Sequence, residues 1–199
     1  IYSLNKMFFA SFTANLIFNS HVSDLLETGL NLARNRYEWR SDLQVGERYS
    51  RKDVCRLLNW ESNQQSTIYG YKVDTFSNSC PIFVTYHKST NVSESTKYPD
   101  EFLNPSTLKW FTRSNRTLQT SEVKTIVENQ MPLYVFAKKD DTEGTDFYYL
   151  GKAISKDAIQ TTMAGKGESK LNVVTMTLQL ATPIETSLYE YFEAQTVGN

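Results

Sequence analysis

The order of the predicted secondary-structure elements constrains this fold more than any single motif. Helical periodicity comes first, followed by two stretches rich in β-branched and aromatic residues, a long polar segment, a short helix and three further strands. Because strands and helices do not alternate regularly, the pattern argues against repeated βαβ units. It predicts an α+β fold with a curved, mainly antiparallel sheet or a partly open barrel, with flanking helices and an N-terminal helical segment.

The N-terminal segment has helical periodicity and lacks strand signals. Apolar residues recur at three- and four-residue steps from Tyr2 to about Arg36, and a break at Asn19-Ser20 predicts a helix–helix corner. The chain begins at Ile1 without a methionine, so we expect it to be part of a longer polypeptide. We interpret residues 1–44 as a helical connector, the end of a coupler region, and residues 45–199 as one larger domain.

Local signals define the elements of the larger domain. Ser50 and Asp53 have the spacing of a capping box, which predicts a helix that starts at Ser50. Two more helices are predicted at residues 121–129 and 187–193. Strands are predicted at residues 67–74, 81–86, 133–138, 146–154 and 171–180.

Composition narrows the classes of function. The 199 residues are 40% hydrophobic and 22% charged, which is typical of a folded domain rather than a disordered chain. No apolar run is long enough to span a bilayer, so we expect no membrane partner. The formal net charge of -1 excludes nucleic-acid binding through an overall basic excess, and any such binding requires a local basic patch.

The sequence contains little that could support catalysis or metal binding. His21 and His87 are the only histidines, and no Cys and His spacing resembles a zinc site. The stretch Gly165-Lys166-Gly167 lacks the flanking strand and the Lys-Ser/Thr end of a phosphate-binding loop, so it predicts a flexible hairpin tip. We therefore predict no catalytic residue, no metal site and no cofactor in this chain.

The polar segment at residues 98–117 is the candidate recognition surface. Its sequence, YPDEFLNPSTLKWFTRSNRT, places two carboxylates, a Trp-Phe pair and two arginines among hydroxyl and amide side chains. Aromatic rings can stack on a planar ligand while arginine and hydroxyl groups hold its charged or polar edges. The opposing interpretation is that Trp110 and Phe111 fill a core while Arg113 and Arg116 are solvated in a loop.

Two further assignments follow from side-chain chemistry. A carboxylate between aromatic residues, Asp100 or Glu101, can accept a hydrogen bond from an exocyclic amine such as cytosine N4. Nearby cations form a local phosphate-binding patch if they converge, and are only solubilising charges if they do not. The candidate contacts to a DNA backbone are Lys88, Lys109, Arg113 and Arg116.

A series of short motifs resembles a known family. The motifs are YSRKDV at residues 49–54, LLNW at 57–60, IYGY at 68–71, PIFVTYHK at 81–88, YPDEF at 98–102, WFTRSNR at 110–116 and FYYLG at 147–151. Together they resemble the C-terminal target-recognition domain of SauUSI-type methylation-dependent type IV restriction enzymes. These large bacterial proteins also carry a phospholipase-D-type nuclease and a superfamily 2 helicase-like ATPase. The chain departs from the expected pattern at Phe111-Thr112, where a smaller Ser-type residue is expected after Trp110.

The resemblance implies an SRA-like fold within the wider PUA-like group, and recognition of 5-methylcytosine or 5-hydroxymethylcytosine. Such a reader extrudes the modified base from the duplex, stacks it between aromatic rings and reads its Watson–Crick edge. It also implies modified double-stranded DNA as the ligand, with helicase and nuclease domains of the same polypeptide as partners, in the cytoplasm of a bacterium as part of phage defence. ATP and a divalent metal are expected for the parent protein only, and whether the parent dimerises is left open.

Our main hypothesis is that the chain is the non-catalytic DNA-reading domain of a modification-dependent restriction enzyme. The candidate base-binding residues are Trp110, Tyr71, Tyr86, Asp100, Glu101, Thr112 and Ser114. One alternative is a PUA-like module that binds RNA or unmodified DNA through the same surface. Another is a protein-docking domain of a helicase-like protein. An independent enzyme is the least favoured, since the sequence shows neither an activated nucleophile nor a phosphate cradle.

Overall fold

The computed structural model describes residues 6–37, 42–87, 100–164 and 170–194. The chain divides between Asp42 and Leu43 into two compact units. The functional division into a connector at residues 1–44 and a reading domain at residues 45–199 stays a prediction. Lys88, the first two residues of the candidate recognition surface and the predicted hairpin tip at residues 165–167 lie outside the described residues.

The first unit consists of two helices, α1 (Lys6–Ala14) and α2 (Leu16–Tyr37). The side-chain oxygen of Asn15 accepts hydrogen bonds from the backbone N–H groups of Ile17 and Phe18, at 3.1 and 3.0 Å, and so caps the start of α2. The helical prediction is confirmed. The predicted corner at Asn19-Ser20 is wrong, because both residues lie inside α2 and the chain turns at the asparagine that can cap a helix. None of the described helices is long and apolar enough to cross a bilayer.

The second unit contains a seven-stranded sheet and three α-helices among the described residues. The strands are β1 (Arg48–Ser50), β2 (Cys80–His87), β3 (Glu101–Asn104), β4 (Thr107–Phe111), β5 (Leu133–Asp140), β6 (Asp146–Ala164) and β7 (Lys170–Leu180). The helices are α3 (Arg51–Leu57), α4 (Ser121–Val127) and α5 (Thr186–Glu193). The predicted α+β class is confirmed.

The sheet has the strand order β2-β5-β6-β7-β4-β3, and β1 pairs with β6 outside this path. Strands β2 and β5 are parallel, and the other described pairs are antiparallel. Strand β6 is central, since Tyr148 pairs with Arg48 on one edge and with Ala137 on the other. A register shift after Lys156, where Asp157 has a φ of 52°, bends this long strand. The sheet therefore curls into a half-barrel, as predicted.

Strands β2 and β5 are buried on both faces, as expected for a parallel pair. Ile82 and Val84 belong to the main hydrophobic core. Phe83 points to the opposite face, where its ring stacks on Phe136 with centroids 4.8 Å apart and meets the edge of Phe147 at 5.0 Å. Even- and odd-numbered residues of β2 thus serve two different sets of contacts, which decides which of them reach the candidate site.

The predicted capping box is confirmed. The Ser50 hydroxyl accepts a hydrogen bond from the Asp53 backbone N–H at 3.2 Å, and the Asp53 carboxylate accepts one from the Ser50 backbone N–H at 3.2 Å. The two bonds fix the first turn of α3. They place Arg51, the first residue of this helix, beside the cavity described below.

Two predictions for the central part of the chain are wrong. Residues 67–74 do not form a strand, because Gly70 has a φ of 75° and turns the chain, leaving only isolated bridges. The sequence predicts no strand within the polar segment, but β3 and β4 form a hairpin there. Leu108 and Trp110 alternate inward there and join the main core, so this segment supplies core residues as well as surface ones.

The predicted helices at 121–129 and 187–193 and the strands at 81–86, 133–138, 146–154 and 171–180 are confirmed, with shifted ends. The largest shift is at β6, which continues to Ala164 because it pairs with β7 along that whole length. Helix α4 stops at Val127, and Asn129 takes a φ of 51° just beyond it.

Candidate functional site

A cavity of about 710 Å³ opens in the second unit. Its volume falls in the range of small-molecule sites, about 300 to 1,000 Å³. It is lined by the start of α3, the loop at residues 65–71, β2, and the end of β4 with the loop that follows. The predicted site residues that line it are Tyr71, Asp100, Trp110, Arg113, Ser114 and Arg116.

Tyr71 and Trp110 form the aromatic wall of the cavity. Their rings meet edge to face with centroids 5.1 Å apart and planes at 82°. Their exposed fractions are only 1% and 3%, and both belong to the main core. The core interpretation of Trp110 is therefore correct, and the residue contributes to the cavity as a rigid wall.

Tyr69 lines the same cavity but, unlike Tyr71 and Trp110, is exposed. It is 69% exposed, although it lies two residues from the buried Tyr71 and bridges to it across Gly70. The Gly70 carbonyl accepts a hydrogen bond from the Phe83 backbone N–H at 2.6 Å, which ties the turn to β2. One glycine with positive φ thus leaves one tyrosine in the core and one available to a ligand.

The structure separates the two carboxylates that the sequence could not distinguish. Asp100 lines the cavity, is 8% exposed, and accepts a hydrogen bond from the Phe111 backbone N–H at 3.1 Å. Glu101 is exposed outside the cavity and forms an ion pair with its cross-strand partner Lys109 at 3.1 Å. Asp100 directly precedes Glu101, the first residue of β3, and successive side chains point to opposite faces where a strand begins, which accounts for the separation.

Glu122, in the first turn of α4, connects three other side chains of the site. Its carboxylate accepts a hydrogen bond from the Tyr71 hydroxyl at 2.9 Å and two from Arg113 Nη2 at 2.7 and 2.8 Å. Arg116 donates to the same carboxylate through Nε. The Arg113 guanidinium also lies over the Tyr71 ring, 4.4 Å from its centroid. Two predicted phosphate contacts therefore converge, but they already share one carboxylate.

The ionisation of this cluster follows from its contacts. Burial opposes the charge on Glu122, but hydrogen bonds from Arg116, Arg113 and Tyr71 outweigh burial and hold the pKa of its carboxyl below the usual value. Burial, reinforced by the Glu122 charge, raises the pKa of the Tyr71 phenol. Glu122 is thus an anion at neutral pH, and Tyr71 is a neutral hydrogen-bond donor to it.

Other predicted site residues lie away from the cavity lining. The Tyr86 hydroxyl donates to Glu193 and its ring packs on Phe102, since its even position places it on the core-facing side of β2. Thr112 is fully buried and its hydroxyl accepts a hydrogen bond from the Val174 backbone N–H at 2.9 Å. Glu101 and Lys109 pair with each other, and Lys88 lies outside the described residues.

Three residues that sequence reasoning did not select contribute to the site: Tyr69 and Arg51 in the lining, and Glu122 behind it. The first two lie within motifs used for the family resemblance, but nothing local marks them as lining a cavity. Glu122 bonds to Tyr71 across 51 positions of sequence. In the part of the chain that the structure describes, no group of three or more His, Cys, Asp or Glu residues could hold a metal ion.

We predict that Glu122→Gln lowers the free energy of unfolding by about 1–3 kcal/mol, because it removes the charge shared by two partly buried arginines. The folded-state pKa of Glu122 is lowered, so its contribution is full above the ordinary carboxyl pKa of about 4.3 and is lost as the pH falls through the lowered value. Urea unfolding at pH 7 and pH 3 measures the difference between wild type and variant, which should shrink in acid.

The matched control is Glu128→Gln at the C-terminal cap of the same helix, where the exposed carboxylate pairs with Lys124 at 3.9 Å and accepts a hydrogen bond from the Gln130 side chain at 2.6 Å. The control is expected to change stability by less than about 0.5 kcal/mol. Equal effects of the two variants at pH 7 would contradict the role given to Glu122.

Comparison with solved structures gives several similarities at low sequence identity. The DNA modification-dependent restriction endonuclease AspBHI is 14% identical, with a TM-score of 0.49 over 79% of this chain and 85% of that one. KRYPTONITE, in complex with mCHG DNA and SAH, is 15% identical, with a TM-score of 0.47 over 73% of this chain and 34% of that one. The sulfur binding and SRA domains of ScoMcrA, complexed with phosphorothioated DNA, are 13% identical, with a TM-score of 0.41 over 77% of this chain and 46% of that one.

This chain therefore spans about a third of the KRYPTONITE chain and less than half of the ScoMcrA chain. These TM-scores are below 0.5, and the fold is defined by the strand order and register of the chain itself. A search of the curated proteins found no match.

The family comparison covers most of the second unit. The model of the family described as Domain of unknown function (DUF3427) matches residues 43–192, from the first residue of that unit to the last turn of α5. The chain belongs to the DUF3427 family.

Proposed function

We propose that the second unit is a non-catalytic reader of modified cytosine in double-stranded DNA, and that one extruded base occupies the cavity. The observation that carries the proposal is the convergence of a buried carboxylate, aromatic rings and arginine side chains on one cavity of nucleobase-compatible size. The motif resemblance to the target-recognition domain of type IV restriction enzymes supports the same function.

The energetics of extrusion are compatible with these groups. Unpairing and unstacking one base costs a few kcal/mol, while stacking on an aromatic ring returns about 1–3 kcal/mol and hydrogen bonds to the base edge add to it. A buried methyl group contributes only about 0.8 kcal/mol. Strong discrimination of 5-methylcytosine therefore also requires a wall that fits closely around C5, for which the rigid Tyr71–Trp110 pair is suited.

Asp100 is the proposed edge-reading residue. An ionised carboxylate only accepts hydrogen bonds, and cytosine presents an N4 amine where thymine presents an O4 acceptor. A base with an acceptor at that position, such as thymine, could not form a hydrogen bond with the carboxylate, because both groups are acceptors. This arrangement favours cytosine over thymine, although both 5-methylcytosine and thymine carry a methyl group at C5.

Tyr69 is the proposed stacking residue. Trp110 and Tyr71 are almost fully buried and pack against each other edge to face, so their rings form the back wall of the cavity. Tyr69 exposes most of its ring at the same cavity and can cover an inserted base with little rearrangement of the core.

The wider context is also part of the proposal. We place this reader in a SauUSI-type bacterial protein, where nuclease and ATPase domains elsewhere in the polypeptide supply catalysis and use ATP and a divalent metal. The helices at residues 1–44 then serve as the connector. The preference for 5-methylcytosine or 5-hydroxymethylcytosine is decided by the space around C5.

An RNA- or unmodified-DNA-binding module would use the same cavity, and binding experiments separate these alternatives. The protein-docking alternative predicts that Trp110→Ala prevents assembly with the partner protein and leaves DNA binding unchanged. Because Trp110 is 3% exposed, that variant creates a core cavity and is expected to lose about 3–5 kcal/mol of stability. It therefore cannot report on docking.

The first test compares duplexes that differ only in one 5-methylcytosine. We expect the 199-residue chain to bind the methylated duplex at least several-fold more tightly, because the methyl group alone is worth about 0.8 kcal/mol on burial. Fluorescence anisotropy at fixed salt measures both affinities, with single-stranded RNA as competitor. Equal affinity for both duplexes, or preferential binding of RNA, contradicts the proposal.

The second test exploits two neighbouring carboxylates. We predict that Asp100→Asn weakens binding to the methylated duplex by about 1–3 kcal/mol, because the charged acceptor for N4 is lost while an amide oxygen remains for the Phe111 N–H. Glu101→Gln is the matched control and should leave the affinity unchanged, since its side chain lies outside the cavity. A larger effect at Glu101 than at Asp100 would exclude this assignment.

The third test concerns stacking. Tyr69→Ala is expected to weaken binding by about 1–3 kcal/mol while changing stability little, because the ring is largely exposed. Phe76→Ala removes another exposed aromatic ring, 66% exposed and outside the cavity lining. Affinity and thermal unfolding are measured for both, and equal loss of affinity in the two variants would refute the stacking role of Tyr69.

A further inference from the structure

We infer that Arg51 binds the phosphate group of the nucleotide whose base occupies the cavity. The inference rests on the proposed function, because it names a second group of the same ligand. It assigns the anion-binding role to a residue other than Arg113 and Arg116, which the sequence had favoured.

Arg51 is held beside the cavity by two aromatic rings. Its guanidinium lies over Phe83, 5.1 Å from the ring centroid, and over Phe147 at 4.8 Å. Both rings are buried, and Phe83 lines the cavity together with Arg51. Contact with two ring faces restricts the orientation of the guanidinium before any ligand arrives.

Arg51 has no hydrogen bond or ion pair with any residue that the structure describes, and its Nε is buried without a partner. A guanidinium has five N–H donors and stays charged at neutral pH. Burial already lowers its pKa, which shows that the site disfavours the charge. The neighbouring acid on α3, Asp53, bonds instead to Ser50 and Arg56. Holding a partly buried, unpaired cation is unfavourable for folding, and an incoming anion would relieve this.

The other arginines of the cavity differ in this respect. Arg113 and Arg116 both donate to Glu122, so a phosphate would have to compete with a carboxylate for them. Arg51 can bind a phosphate without breaking any hydrogen bond or ion pair of the described structure. Its planar fork suits two phosphate oxygens at once.

The cavity therefore offers an acceptor at Asp100 and an unpaired donor at Arg51. A cytosine nucleotide presents the complementary pair, an amine on the base and an anionic phosphate. The phosphate could belong to a DNA strand or to a free nucleotide, and the experiment includes both sources.

The test uses Arg51→Met in the 199-residue chain. We expect its affinity for the methylated duplex to fall about tenfold to a hundredfold, because a charge-assisted bond is lost. The slope of log K against log salt should become shallower by about 0.9, and the ratio of methylated to unmethylated affinity should stay unchanged. The melting temperature is expected to stay level or rise, since an unpaired charge is replaced by an apolar chain.

Lys152→Gln is the control, because it removes one positive charge that lies over Tyr134 outside the cavity lining. It should leave the affinity for the methylated duplex within about twofold. Arg51→Lys is the second variant in case the methionine variant does not fold, and it should keep the salt slope while losing part of the affinity. An unchanged salt slope and affinity in folded Arg51→Met overturns the inference.

A second comparison uses free nucleosides and nucleotides as ligands in place of a duplex. Wild-type chain is titrated with 5-methyldeoxycytidine and with its 5′-monophosphate. Tighter binding of the monophosphate than of the nucleoside, abolished by Arg51→Met, supports the phosphate site. If the duplex experiments then show no modification-dependent binding, the proposed function is refuted and the phosphate site still stands. If nucleoside and monophosphate bind equally, and Arg51→Met changes neither the duplex affinity nor its salt slope, the inference about Arg51 is refuted and the proposed function still stands.

Discussion

The carboxylate of Glu122 holds together the segments that form the cavity. It receives a hydrogen bond from Tyr71 in the loop before β2 and from Arg113 and Arg116 after β4, while its own backbone belongs to α4. Tyr71 lies 51 positions before Glu122 in the sequence, whereas Arg113 and Arg116 lie nine and six positions before it. Without this shared anion, two arginines would repel one another beside a buried tyrosine, and the cavity wall would lose its alignment.

The same anion determines what remains for a ligand. Glu122 neutralises part of the charge of Arg113 and Arg116, whereas Arg51 lies over the rings of Phe83 and Phe147 and has no hydrogen bond or ion pair with the residues that the structure describes. The cavity is therefore not a uniformly basic surface, which agrees with a chain whose formal net charge is -1. Recognition by such a site depends on a few directed groups, and little on general attraction to phosphate.

Local features of the sequence were sufficient where the structure depends on local contacts. The capping box of Ser50 and Asp53 joins residues three positions apart, and the sequence predicted it correctly. The strand pattern of β7 and the helical pattern of α5 were likewise predicted correctly from the sequence. The β3–β4 hairpin was missed because its polar residues hide an inward alternation of Leu108 and Trp110, and its burial depends on pairing with β7, more than 60 residues away.

The candidate site was predictable as a region and not as a set of contacts. The motif at residues 110–116 did supply much of the cavity lining. Strand alternation decided between Asp100 and Glu101, and one positive φ decided between Tyr69 and Tyr71, neither of which composition reveals. Tyr86 has an aromatic ring suited to stacking, but it lies on the side of β2 away from the cavity lining, where its hydroxyl donates to Glu193 near the end of the chain.

A crystal structure of the chain bound to a duplex with one 5-methylcytosine would test base extrusion into the cavity directly. We predict that this base leaves the helical stack and enters the cavity, with its ring against Tyr69 and its N4 within about 3.2 Å of the Asp100 carboxylate. A complex in which the base stays paired and stacked while the cavity is empty would contradict it.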